Sequence, residues 1–258
     1  MQPMPPSDLL NALKPKDRRG SKVRCHLLTH GDDAAVAARL TRLVEPWGRV
    51  LSDHVWLPRG FEDTKEARLG ETPGLLSPEL KEKVSEWWLA VRAHANTPNW
   101  DIASACEIEG RSGLLLVEAK AHWNELSSKG KPEPGTPYGL QNHKRIRTTI
   151  REANTALNRL LTGWALSRDT HYQLSNRFAW AWKLASLGVP VALIYLGFLS
   201  ADEMADGGPP FSTAEDWEIA MKAHASPVVP DKAWGRVLTV DGTPLRAVIR
   251  AEYVALPG

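Results

Sequence analysis

The stretch WDIASACEIEGRSGLLLVEAK, residues 100–120, decides how this chain is read. Trp100 to Glu109 alternates apolar and polar positions, and Gly113 to Ala121 opens on an unbroken Leu-Leu-Leu-Val run, with Glu-Gly-Arg-Ser between them. Alternation suits a half-buried strand and a short apolar run suits a fully buried one, so the pattern predicts a β-hairpin. With Gly110-Arg111 as a two-residue type II′ loop, Asp101 faces Lys120 and Ala103 faces Glu118. Side chains alternate with period two, so Asp101, Glu118 and Lys120 then project from one face of the sheet. A four-residue loop over 109–112 keeps that register, whereas a three-residue loop would separate the three side chains.

Two carboxylates and a lysine converging at a strand end suit a hard divalent cation. Mg²⁺ takes one or two carboxylates and fills its remaining positions with waters and phosphate oxygens. The ammonium beside it can orient a water or meet the charge that develops on a phosphate. The ordinary alternative is a salt-bridged sheet face. Acid-x-Lys triplets also occur at Asp63–Lys65 and Glu79–Lys81, but only Glu118–Lys120 follows a buried-looking run, Leu114 to Val117, that carries its acid to the edge of a core.

Outward from the hairpin, the N-terminal side reads as a flexible leader over 1–21. An annex over 22–73 follows, built as strand (Val23–Thr29), helix (from Ala34 to Leu43) and strand (near Arg49–Leu57), with a Gly- and Pro-rich loop after it. Pro78 and Glu79 open an amphipathic helix carrying Leu80, Val84, Trp87, Trp88 and Val91 to about Ala95. Beyond the hairpin, residues 127–139 read as a polar Pro-Gly loop that does not fold inward. Helices are expected over 140–165 and 171–187, and a strand over 191–198 closes a core unit spanning 74–200. A helix capped by Ser212 and Glu215, then a hairpin turning at Asp241-Gly242, complete residues 201–258 and pack on the core. The fold class is α/β, a mixed sheet flanked by helices.

The 258 residues are 43% hydrophobic and 24% charged, which excludes wholesale disorder and fibrous repeats. The net charge of +2 gives no global basic field, so a polyanion would need a local patch. From Gln141 to Arg168 there are six lysines and arginines against the single acid Glu152, which marks Lys144, Arg145 and Arg151 as candidate phosphate contacts. The same excess also fits a solvated helix face. Gln173, Asn176 and Arg177 share one helical face, where Arg177 touches a phosphate or satisfies a carboxylate. Two distant cysteines, Cys25 and Cys106, favour a reducing compartment, and the cytoplasm is the expected location. The longest apolar run, Val189–Leu199, is far short of the roughly 20 residues that span a bilayer, so no membrane partner is expected. Walker A, G-x-G-x-x-G, H-E-x-x-H, G-x-S-x-G and C-x-x-C motifs are absent.

Asp101 and Glu118-Ala-Lys120, set between the helix from residue 78 and the later helix and strand, resemble the PD-(D/E)xK, or restriction-endonuclease-like, nuclease superfamily over roughly residues 78–200. Trp100 stands where that pattern often has Pro, the helix over 140–165 reads as an insertion, and Gln173 is followed four residues on by Arg177, not Tyr. The resemblance implies a restriction-endonuclease-like core and catalysis by Asp101, Glu118 and Lys120. It also implies Mg²⁺, with Mn²⁺ as a substitute, held by Asp101, Glu118 and the Ala119 carbonyl. A helix glutamate, Glu86, is the expected extra ligand, and DNA the expected partner. The function implied is hydrolysis of DNA phosphodiester bonds. The alternative is an inactive nuclease-fold module that binds nucleic acid or another protein.

Overall fold

The computed structural model describes residues 8, 10, 11, 13–93 and 95–257, so residues 1–7 of the expected leader lie outside the described residues. In chain order, α1 is Gly20–Leu28, α2 Asp33–Val44, β1 Gly48–Arg49, β2 Trp56–Leu57, β3 Ala67–Arg68, α3 Pro78–Trp88 and β4 Asn99–Trp100. The hairpin is β5 (Ile102–Ile108) and β6 (Arg111–Lys120), followed by α4 (Pro137–Leu160), α5 (Tyr172–Ser186) and β7 (Val191–Phe198). Helix α6 (Ala214–Ala225) and strands β8 (Val237–Val240) and β9 (Thr243–Glu252) complete the chain.

The main sheet runs β1-β5-β6-β7-β9-β8, with β2 also pairing β5. Its outer pairs are antiparallel, while β6-β7 and β7-β9 are parallel. Parallel neighbours need crossovers, and the α4-α5 pair supplies the one between β6 and β7. The protein is therefore α/β, a mixed sheet flanked by helices. Strand β7 is buried at every residue from Val191 to Phe198, as a central parallel strand covered on both faces must be.

The two faces carry separate apolar cores. Leu114 and Leu116 of β6 join a cluster with Val84, Trp88, Ile150, Phe178 and Trp217 from α3, α4, α5 and α6. Leu115, Val117 and Ala119 join Cys25, Leu28, Val36 and Leu40 from α1 and α2. Alternation along β6 thus assigns Glu118 and Lys120 to the α4-α5 face.

Three expectations are corrected. Val23–Thr29 lies in a helix and its following cap, not a strand, because Arg24 and His26, the polar half of its apparent alternation, are themselves buried. The annex is therefore helix, helix and two two-residue strands that extend the main sheet. The helix from Pro78 ends at Trp88, not Ala95, since the Asn142 side chain takes the Val91 backbone: Val91 N–H donates to Oδ1 (2.8 Å) and Nδ2 donates to the Val91 carbonyl (2.7 Å). Helix α6 is capped by Thr213 and Asp216, one residue later than expected, with both reciprocal bonds formed. The hairpin at Asp241-Gly242 forms with both residues at positive φ, 47° and 78°.

Candidate functional site

The β5-β6 hairpin turns at Glu109-Gly110, with φ of 51° and 75°, and pairs Ile102 with Val117 and Ile108 with Arg111. Positive φ at both central residues is the type I′ pattern, in place of the expected II′ loop at Gly110-Arg111. The register moves by two residues, so parity survives. Glu118 and Lys120 share one face of β6, while Asp101 lies just past the last ladder pair, at the Glu118 end of β6 and not opposite Lys120.

The ladder ends because β4 leaves the hairpin to pair with β3, Ala67 opposite Trp100. Continuing the ladder would have set Trp100 against Ala119. Instead the Ala119 N–H donates to Asp101 Oδ2 at 2.7 Å, which fixes that carboxylate at the splayed strand end. Glu118 and Lys120, 2% and 9% exposed, pair with each other one turn of pleat away. From α5, Arg177 Nε donates to Glu118 Oε2 at 2.6 Å, and Gln173 Nε2 donates to Oε1. The guanidinium is held in place by Asn176 Oδ1, which accepts from Nη1 at 2.9 Å, and by the Trp100 ring, 4.5 Å below it.

The electrostatics split the two acids. Burial and the neighbouring Glu118 charge push the Asp101 carboxyl up to about 7, although Lys120, the Ala119 N–H and Arg177 oppose the rise. Burial acts to raise Glu118 as well, but Arg177 and Lys120 outweigh it and hold that carboxyl below its ordinary value. Lys120 is raised because Glu118 and Asp101 overcome its burial. Tyr195, opposite Glu118 on β7, carries a buried hydroxyl without a partner, and burial drives it far above the usual phenol range.

Asp101, Gln173, Asn176 and Arg177 line an open cleft of about 680 Å³, walled by Thr97–Asn99 on one side and Lys129–Pro132 on the other. Glu118 and Lys120 lie behind Gln173, on a small closed space shared with Tyr195, Met221 and His224. Gln173 borders both. The 127–139 segment is no outlying loop: its first part is bound to the start of α5 through Lys131 N–H to the Arg168 carbonyl (2.8 Å), His171 N–H to Ser128 (2.9 Å) and Tyr172 N–H to Lys129 (3.0 Å). Gly130 is required there, since a Cβ would sit 2.3 Å from the Asp169 carbonyl oxygen.

The remaining expected residues lie elsewhere. Glu86 is exposed and pairs with Arg92 at 3.4 Å, outside the cleft. Lys144, Arg145 and Arg151 are exposed on α4, where Arg151 lines a separate groove with Arg159 and Trp182. Glu66, Lys129 and Lys131 line the Asp101 cleft and were not singled out by sequence. Glu66 has no periodic signal, since it precedes a two-residue strand in a Gly- and Pro-rich stretch. The only hint of Lys129 and Lys131 is their spacing by two around a glycine.

Asp101 and Glu118 are carboxylates of the kind Mg²⁺ takes, with Asp101 raised by burial and by Glu118, but Glu118 is buried and already bound by Lys120, Arg177 and Gln173. Among the described residues no group of three or more His, Cys, Asp or Glu side chains is placed to hold a metal, so most coordination would fall to water and substrate oxygens. No helix among the described residues is long and apolar enough to cross a membrane. No family model, no curated protein and no solved structure matches the chain.

Proposed function

We propose that this protein is a Mg²⁺-dependent nuclease with a restriction-endonuclease-like core, cleaving DNA phosphodiester bonds at Asp101, Glu118 and Lys120. The observation that carries the reading is the charge pattern at the splayed end of β6. An Asp raised to about 7 stands at an open cleft, beside an ionised Glu that is paired with a Lys on one face of β6. Acids raised by burial and by a neighbouring carboxylate gather at functional sites, and an added cation would relieve this one, which supports the reading. The cation, held by Asp101, Glu118 and the Ala119 carbonyl, would supply Lewis-acid polarisation of a phosphoryl oxygen.

The chain's own groups supply the rest. Asp101 is fixed by the Ala119 N–H and lines the cleft. Arg177 holds Glu118 in one orientation, and Trp100 and Asn176 hold Arg177. The Lys120 ammonium meets negative charge as water attacks phosphorus and the P–O bond to the leaving strand breaks. Gln173, bordering both spaces, would shift for Glu118 and Lys120 to meet substrate.

A second reading, a module that binds without cutting, draws on a specific observation: Glu118 already has Lys120, Arg177 and Gln173 as partners and is 2% exposed. Incubation with a mixed panel of DNA substrates and Mg²⁺ or Mn²⁺ separates the two. Divalent-dependent products that vanish in Asp101→Asn and Lys120→Met support the nuclease. Binding without products, unaltered in either variant, supports the module.

A further inference from the structure

The nucleic-acid surface expected on α4 and the cleft at Asp101 are different places, and the cleft has the better claim to substrate. Lys144, Arg145 and Arg151 do not line it. Its own cations are Lys129, Lys131 and Arg177, against Asp101 and Glu66. Arg177 is 6% exposed and Asn176 4%, so two buried polar side chains face the space. Lys131 Nζ rests 4.9 Å from the centroid of the half-buried Tyr172 ring, which itself lines the cleft. A cation set over an aromatic ring beside a second lysine is the pairing that tracks a phosphate backbone while offering a base a surface to stack on.

The aromatic ring then selects the form of the strand. A space of about 680 Å³ is that of a drug-sized ligand, and half-buried Asp101 lines it together with residues 97–99 and 129–132. An unpaired base can stack on Tyr172, whereas a duplex holds its bases paired and stacked on one another and cannot offer one without opening. The second wall is fixed, because three backbone hydrogen bonds and the Gly130–Asp169 approach tie it to the start of α5. We infer that the cleft binds single-stranded polynucleotide, gripped by Lys129 and Lys131 and stacked at Tyr172. This deepens the proposed function and rests on it for cleavage, though not for binding.

A neighbouring cleft of about 570 Å³ abuts this one at Glu66 and Asn99 and serves as the control. It sets three cations, Lys22, Lys65 and Arg68, against Asp63, Glu66 and Glu71, and no aromatic ring lines it.

The test is fluorescence anisotropy of the full chain in EDTA with labelled single-stranded DNA, single-stranded RNA and duplex DNA of equal length, across a salt series. Single-stranded DNA or RNA should bind about tenfold tighter than duplex, and the DNA and RNA arms identify the backbone taken. The Lys129→Ala/Lys131→Ala variant should lose about tenfold in single-strand affinity and lower the log-log salt slope by about 1.4, two contacts at roughly 0.7 each. Lys65→Ala and the Lys144→Ala/Arg145→Ala/Arg151→Ala variant should leave both unchanged. Duplex binding equal to or above single-strand binding, or an unchanged slope in the lysine pair, overturns the inference. Because binding is read in chelator, its failure is separable from that of the nuclease: single-strand binding without divalent-dependent products keeps the cleft assignment and removes the catalytic one, while duplex cleavage with no single-strand preference does the reverse.

Discussion

The protein buries two sets of charges, and they are solved in opposite ways. On the α1 side, Arg24 is 2% exposed and meets Glu203 through both terminal nitrogens, one at 2.9 Å from Oε2. Its remaining bonds go to the carbonyls of Gly20 and Val254, and Glu203 also accepts the Gly20 N–H at 3.1 Å. One cation and one anion are matched, and the Glu203 carboxyl is held below its ordinary value by Arg24 and the Gly20 N–H despite partial burial. On the other face, Asp101, Glu118, Lys120 and Arg177 also sum to zero, yet Asp101 rises to about 7. A closed pair is an anchor. A cluster that leaves one acid strained beside a cleft has capacity for a further cation, and that capacity separates a site from a strut.

Replacing Lys120 gives the largest expected difference between the two. Lys120→Met should lower divalent-dependent cleavage by about a hundredfold or more, the scale of losing one preorganised charge at a transition state. Glu203→Ala should leave cleavage intact. Turnover of matched samples on one DNA substrate checks this, and equal loss in both variants would erase the distinction.

Stability should show the reverse order. Glu203→Ala leaves Arg24 buried without its anion, and breaking a buried pair from one side costs several kcal/mol. Glu203 keeps 29% exposure, which screens the pair, so we expect about 2 kcal/mol, read as a lower urea midpoint with an unchanged slope. A midpoint within error of the parent would demote the pair to a surface contact.

The two sets also oppose each other in pH. The folded Asp101 carboxyl is raised above its unfolded value, so between about pH 4 and 7 the folded state holds a proton that the unfolded state releases. Its contribution is therefore present at low pH and lost as pH rises toward 7. Glu203 is lowered, so its contribution is present above the ordinary glutamate range and lost on acidification through its folded value. In chelator, Asp101→Asn should gain stability relative to the parent as pH rises from 5 to 8. Urea midpoints of the two chains, differenced at each pH, test it, and a flat difference would place Asp101 in ordinary solvent.

What could be read from sequence follows the range of the interactions. The hairpin and the common face of Glu118 and Lys120 were legible because period-two alternation is local and survives a register error of two. The turn itself was not, since Glu109 at positive φ is outside the Asn/Asp-Gly chemistry that marks a type I′ turn. Helix α1 was unreadable for a different reason: Arg24 finds its anion in Glu203, far away in the chain, so a buried charge passed for the exposed half of a strand. Glu66 reaches the cleft only through the β3-β4 pairing across some thirty residues, and Lys129 and Lys131 through backbone bonds to 168–172. None of these leaves a periodic trace.

The smallest expected effect concerns Glu86, the helix acid that the nuclease resemblance marks as an extra ligand. It lies on the exposed face of α3 and pairs with Arg92, which is also bound by both oxygens of Glu82. Exposed pairs of this kind contribute about 0–1 kcal/mol, and Arg92 keeps its Glu82 partner when Glu86 is replaced. Glu86→Gln should therefore change neither the urea midpoint nor Mn²⁺ affinity by calorimetry beyond about twofold, a free-energy difference within that range. Asp101→Asn, in the same titration, should abolish the binding. If Glu86→Gln weakened Mn²⁺ binding as much as Asp101→Asn, the end of α3 would have to swing toward the cleft on metal binding, and the site would include that helix as well as the hairpin.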